Sequence, residues 1–167
     1  MRYRNLIDAD LLIYQNPVVL AYLIYYFLNK FSNEKKPCDL SLLYYVTPIL
    51  LIDDYYKILK NTQLKSGIEK FITKFIDNKS RDVLLRLKYE AKRCFKLTSK
   101  AIYIGHVCEL FSVDRINAQV SIQNVPGNLP RIPIALRCRF RDAEKLGSWL
   151  AKHSGFEAVS LLRQDGV

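Results

Sequence analysis

Two histidines, four cysteines and two close aspartate pairs are the side chains of this 167-residue chain that could do chemistry. His106 and Cys108 lie nearest to each other, in AIYIGHVCELF. Together they would make a cysteine nucleophile with its general base. That chemistry needs the two side chains to face each other, and residues i and i+2 of a helix diverge by about 200°. The cysteine-enzyme reading is therefore set aside, and His106 reads as a satisfied core or groove residue. His153, in a Lys-His-Ser-Gly helix end, suits a cation near a helix C-terminus. Asp8 and Asp10 could hold a metal only with further ligands, which the neighbouring sequence does not supply. Asp53-Asp54 reads as a helix start, where negative charge is favoured. Cys38, Cys94, Cys108 and Cys138 are spaced by 56, 14 and 30 residues, without a C-x-x-C pair. An even count would permit disulfides, but Met1 to Ile7 (MRYRNLI) carries no apolar leader core. Reduced core thiols in a cytoplasmic protein are the reading that follows. No phosphate-binding glycine loop, H-E-x-x-H or G-x-S-x-G is present. The chain reads as not an enzyme, with no cofactor and no metal.

Charge is the second source of chemistry. Of a net +10, residues 1–56 carry −1, residues 57–100 carry +9 and residues 101–167 carry +2. A helix is expected from Arg81 to about Phe95, with Val83, Leu84, Leu87, Ala91 and Cys94 as its apolar stripe. The opposite side carries Arg81, Arg86, Lys88, Lys92 and Arg93, extended by Lys96 and Lys100. Such a face is the footprint of contact with DNA or with an acidic partner; the plainer alternative is a solvated face. Arg137, Arg139 and Arg141 alternate in R-C-R-F-R. On a strand they would share one side, the wet side of an edge strand or a second anion contact.

The elements that must position these residues follow from periodicity and punctuation. Half the residues are apolar, and 6 Gly and 6 Pro favour long helices. Asn16-Pro17 is a helix start, and that helix should run to about Phe31. Ser32 to Asp39 reads as a charged loop. Asp39 or Ser41 caps a second helix that Pro48 ends or kinks. Asp53-Asp54 starts a third, and Ser66 to Ile76 holds a fourth. Thr98 or Ser99 should cap another helix after the basic one. Ile116, Ala118, Val120 and Ile122 then alternate with polar residues, a strand period. With Leu110–Val113 before them and Asp114-Arg115 as the turn, they make a β-hairpin. Helix, helix, helix, hairpin is the order of a winged helix-turn-helix. Ile134 to Phe140 reads as one more strand.

The expected fold is thus mainly α, a helical domain with a winged-helix-like element and C-terminal helices. Residues 1–64 form an apolar, Tyr-rich part, 65–125 the winged-helix-like basic part, and 126–167 a loop, short strand and closing helices of one compact domain. The apolar runs Val18–Leu28 and Leu42–Ile52 are eleven residues each, too short for the roughly twenty of a membrane span. Tyr22, Tyr25, Tyr26, Tyr44, Tyr45, Tyr55 and Tyr56 crowd this half. They form either a Tyr-rich core or a protein interface, where such rings are enriched.

The tail from Ala143 to Val167 is unusually apolar for a terminus. It places Leu146, Trp149 and Leu150 on one helical stripe, takes Gly155 as a stop, and adds Phe156, Val159, Leu161 and Leu162. Trp149 should pack into the core. The run Leu146-Gly147-x-Trp149-Leu150-Ala151-Lys152 with Phe156, Val159 and Leu162 resembles the end of the middle components of three-component ABC-ATPase systems. The start NPVVLAYLIYYFL and the helices and hairpin from Lys57 to Asn124 resemble that family's start and middle. Lamassu-type antiphage systems have a small subunit of this kind. The resemblance implies a non-catalytic accessory subunit in a hetero-oligomer. Its partners would be an SMC/Rad50-like ABC ATPase that senses DNA and an effector, often a nuclease, held inactive until then. Double-stranded DNA is a further partner by charge. The alternative, read from the residues, is a free-standing winged-helix DNA-binding regulator.

Overall fold

The computed structural model describes residues 16–32, 37–77, 79–122 and 134–163. Asn16 opens α1 (Pro17–Phe31), its side-chain oxygen accepting from the Val18 N–H at 2.9 Å. Proline at the first helical position loses a hydrogen bond that a helix start lacks anyway. This helix is apolar nearly all round, so it must be covered on several sides. A long helix, α6 (Leu87–Val107), and the penultimate helix, α7 (Arg137–Leu150), cover it.

Asp39 caps α2 (Leu40–Leu51) by accepting from the Ser41 N–H at 2.8 Å. Pro48, expected to end or kink that helix, lies inside it. There it removes one helical N–H bond and crowds the carbonyl four residues back. Val46, Thr47, Ile49 and Leu50 are wholly buried around it, so packing carries the helix through to Leu51. A short α3 (Asp53–Lys60) does begin at the paired aspartates. A 3-10 turn (Leu64–Ser66) leads to α4 (Gly67–Asp77), whose Ile68, Phe71, Ile72 and Phe75 are buried at helical spacing.

The helix expected over Arg81–Phe95 is two helices. One is α5 (Arg81–Leu85); after a break at Arg86 the chain enters α6, which is 21 residues long. It passes straight through Thr98 and Ser99, where a new cap was expected. Both hydroxyls are engaged elsewhere: Thr98 donates back to the Cys94 carbonyl at 3.0 Å, and Ser99 pairs with the Tyr44 hydroxyl at 3.1 Å.

The hairpin forms as β2 (Ser112–Asp114) and β3 (Gln119–Ser121), with Val113 opposite Val120. The connection is residues 115–118, not Asp114-Arg115. Asp114 holds it by accepting from the Ile116 and Asn117 N–H groups at 2.9 and 3.1 Å. Part of the segment read as a loop is a third strand, β1 (Cys38–Asp39), antiparallel to β3. The sheet order β1-β3-β2, with α1 before β1 and α6 before β2, is the arrangement of a winged helix. In it α3, α4 and α5 are inserted between α2 and α6.

Residues 134–140 are not a strand. A 3-10 turn (Ile134–Leu136) runs into α7. On a helix Arg137 and Arg141 share one exposed side while Arg139 points inward, 6% exposed, so the three arginines do not form one face. Gly155 does not stop a helix but begins α8 (Gly155–Arg163). Ser154 and Glu157 exchange side-chain-to-backbone bonds at 2.8 and 3.2 Å, a capping box in Ser-x-x-Glu spacing. Trp149 is buried as expected, its Nε1 donating to the Leu64 carbonyl at 2.7 Å. Residues from all three stretches of the chain, among them Leu23, Phe27, Phe71, Leu146 and Trp149, share one apolar cluster.

Candidate nucleic-acid interface

Leu87, Ala91, Thr98, Ala101, Ile102 and Gly105 pin one side of α6 to the body of the protein. Gly105 is required by close approach, since a Cβ there would lie 2.2 Å from the Phe111 ring. The other side is left to solvent. Lys88, Lys92, Lys96 and Lys100 are all exposed, and at i, i+4 spacing each advances about 40° around the axis. Arg93 is exposed and ion-paired with Glu90 at 2.9 Å. From Val83 to Cys108 there are six basic residues, and Glu90 is the one acid. Arg81 and Arg86 lie on and just after α5, both exposed. All seven basic residues singled out from the sequence thus lie on α5, α6 or their junction.

The sequence reading missed the aromatic part of this surface. Tyr89, Phe95 and Tyr103 are 62%, 54% and 64% exposed. Phe95 stacks on Tyr44, with ring centroids 5.1 Å apart and planes at 14°. The seven-residue steps Tyr89, Lys96, Tyr103 were the available signal. His106, expected in a core or groove, is exposed near the end of α6. Helical phase turns it away from the buried side at Gly105.

The tyrosines proposed as an interface are divided by the fold. Tyr25, Tyr55 and Tyr56 are buried, because the elements that cover α1 and α3 close over them. Tyr22, Tyr26, Tyr44 and Tyr45 are half-buried and packed on the core. The Tyr55 hydroxyl donates to the Val83 carbonyl at 2.6 Å and that of Tyr56 to Asp142 at 2.9 Å. Burial, the largest cause, pushes both phenols up, Tyr55 to about 12, and the Asp142 carboxylate raises Tyr56 further. Both lie above the ordinary value of about 10. Their contribution to stability is therefore complete below that pH and lost as pH rises through the folded values. Urea midpoints should fall as pH climbs from about 10 toward about 12, and Tyr55→Phe with Tyr56→Phe should flatten that decline.

The cysteines are free. Cys38 is buried, whereas Cys108 and Cys138 are exposed, which corrects their reading as core thiols: each faces away from the packed side of its helix end. Asp8 and Asp10 lie outside the described residues. Among the described residues no group of three or more His, Cys, Asp or Glu could hold a metal ion, and no helix is long and apolar enough to cross a membrane.

The fold and this surface define a mainly helical protein with a small three-stranded antiparallel sheet and a basic, aromatic-bearing helix face. The chain belongs to the ABC-three component (ABC-3C) system Middle Component 3 family, whose model matches residues 5–163. It is thus an accessory component of an ABC-ATPase system. No curated protein and no solved structure matches the chain.

Proposed function

We propose that this chain is a non-catalytic, cytoplasmic accessory subunit of a Lamassu-type antiphage defence complex. It bridges an SMC/Rad50-like ABC ATPase and an effector nuclease, and α6 is the surface through which it meets a polyanion. The observation that carries this reading is the family match over residues 5–163. The lysines and tyrosines of α6, left exposed by every described element of the chain, support a surface kept for a partner. Expression with the neighbouring reading frames tests it. The chain should co-purify with an ATPase and an effector, and deleting its gene should abolish protection in a phage plaque assay. A monodisperse protein that binds neither neighbour, with protection unchanged by deletion, would sink the proposal.

One observation favours the second reading, a free-standing winged-helix regulator: the sheet order β1-β3-β2 ahead of which α6 takes the place of a groove-reading helix. That reading requires a homodimer on duplex DNA, with affinity falling steeply with salt.

A further inference from the structure

The exposed side of α6 carries more than charge. At about 100° per residue, Lys92, Tyr103, Lys96, Tyr89 and Lys100 fall within about 80° of arc. Fourteen residues at about 1.5 Å rise set Tyr89 and Tyr103 about 21 Å apart, with the three lysines between them. Two tyrosines more than 60% exposed lie in line with the lysines, each leaving apolar ring area in water. Phe95, stacked on Tyr44 at one margin, is a third ring, held in place by the Tyr44–Ser99 hydrogen bond.

We propose that this face of α6 binds single-stranded nucleic acid, its lysines on the phosphates and Tyr89 and Tyr103 stacked on unpaired bases. Aromatic rings interleaved with cations along a line are how single strands are held without sequence preference. A duplex hides the faces of its bases, so tyrosines placed here would meet only sugar and phosphate. An acidic protein partner fits less well, because lysine is depleted at the core of protein interfaces and here it alternates with the rings. The line of lysines without a carboxylate on the same side suits a linear polyanion. This deepens the polyanion reading of α6 and does not depend on the bridging role.

The test is fluorescence anisotropy with the full chain and labelled oligo(dT) or oligo(U) of about 16 nucleotides. A duplex of equal length and polyglutamate serve as comparisons. The single strand should bind more tightly than the duplex, and a preference for dT or U names the natural strand as DNA or RNA. The slope of log K against log salt should reach about −2.1, with Lys92, Lys96 and Lys100 contributing about 0.7 each, and Lys92→Gln should reduce it by about 0.7. Tyr89→Ala and Tyr103→Ala should each weaken the single strand about 5- to 150-fold and leave duplex binding unchanged. Both side chains are exposed, so circular dichroism should report an unaltered fold. Equal or tighter binding of duplex, tyrosine variants that bind like the parent, or equal competition by polyglutamate would each overturn the proposal. Such a failure leaves the co-purification result untouched, so the two readings fail separately.

Discussion

Trp149→Ala should destabilise the protein by about 3–5 kcal/mol, the range for removing a large buried aromatic side chain. Trp149 is 1% exposed and its ring lies 6.3 Å from that of Phe71, so the loss leaves a cavity where α7 meets α4. The indole also joins α7 to the turn before α4, because Nε1 donates to the Leu64 carbonyl at 2.7 Å. The wall around the cavity is stiff. Two residues earlier, Gly147 brings α7 so near α1 that a Cβ would lie 2.2 Å from the Phe27 carbonyl oxygen. With α7 held there, the cavity has little room to collapse, which favours the upper part of the range. Trp149→Phe keeps most of the ring and drops the hydrogen bond, and should cost nearer 1 kcal/mol for that bond, plus the smaller volume. Urea unfolding of both variants separates the two contributions. Near-parental stability for Trp149→Ala would show that α7 does not close the core.

Arg139→Ala should cost about 3 kcal/mol, a large effect for an arginine. The guanidinium sits inside the protein, donating to the Leu50 carbonyl at 2.7 Å near the end of α2 and lying 4.0 Å above the Tyr56 ring. It also faces Asp53 at 3.6 Å, but that carboxylate is 56% exposed, and exposed pairs are worth little. The cost therefore comes from the Leu50 carbonyl left without this donor, about 1–3 kcal/mol, and from the lost stem packing and cation–π contact. Two variants separate these causes. Asp53→Asn should change stability by less than about 1 kcal/mol, whereas Arg139→Lys, which keeps charge without the planar fork, should fall between parent and alanine. If Asp53→Asn were as damaging as Arg139→Ala, the ion pair and not the carbonyl bond would be the cause. The neighbouring links behave as one network. Asp142 accepts from the Tyr56 hydroxyl and pairs with Lys145 at 2.9 Å, and Lys145 donates to the Leu59 carbonyl at 2.8 Å. In this way α7 satisfies C-terminal carbonyls of both α2 and α3.

That network was illegible in the sequence for a physical reason. R-C-R-F-R alternates polar and apolar with a period of two, which is a strand's signature. A helix that buries Arg139 and exposes Arg137 and Arg141 writes the same five letters. What decides between them is the end of α2, whose Leu50 carbonyl takes a donor from 89 residues away in sequence. The strand β1 was hidden for a related reason. Two residues carry no periodicity, and Cys38 and Asp39 are a strand only because Val120 and Gln119 lie beside them. The cap at Ser154 was different: Ser-x-x-Glu is a local signal, overlooked because Gly155 reads more readily as a stop.

By itself the sequence determined the features whose causes are local. The helix starts at Asn16 and Asp39, the stripe of α4, the strand period of β3 and the concentration of charge between residues 57 and 100 each follow from neighbours within a few positions. The tail motif, with the start from Asn16 and the helices and hairpin of Lys57 to Asn124, pointed to the family. Only the tertiary structure decided which aromatic rings face water. It put Tyr25, Tyr55 and Tyr56 inside and left Tyr89 and Tyr103 outside among lysines, because burial depends on which distant helix arrives to cover a face, and composition does not encode that. The basic cluster was visible as one charged side of a helix. Its character as a charged and aromatic surface appeared only once α1 and α2 had claimed the other side of α6.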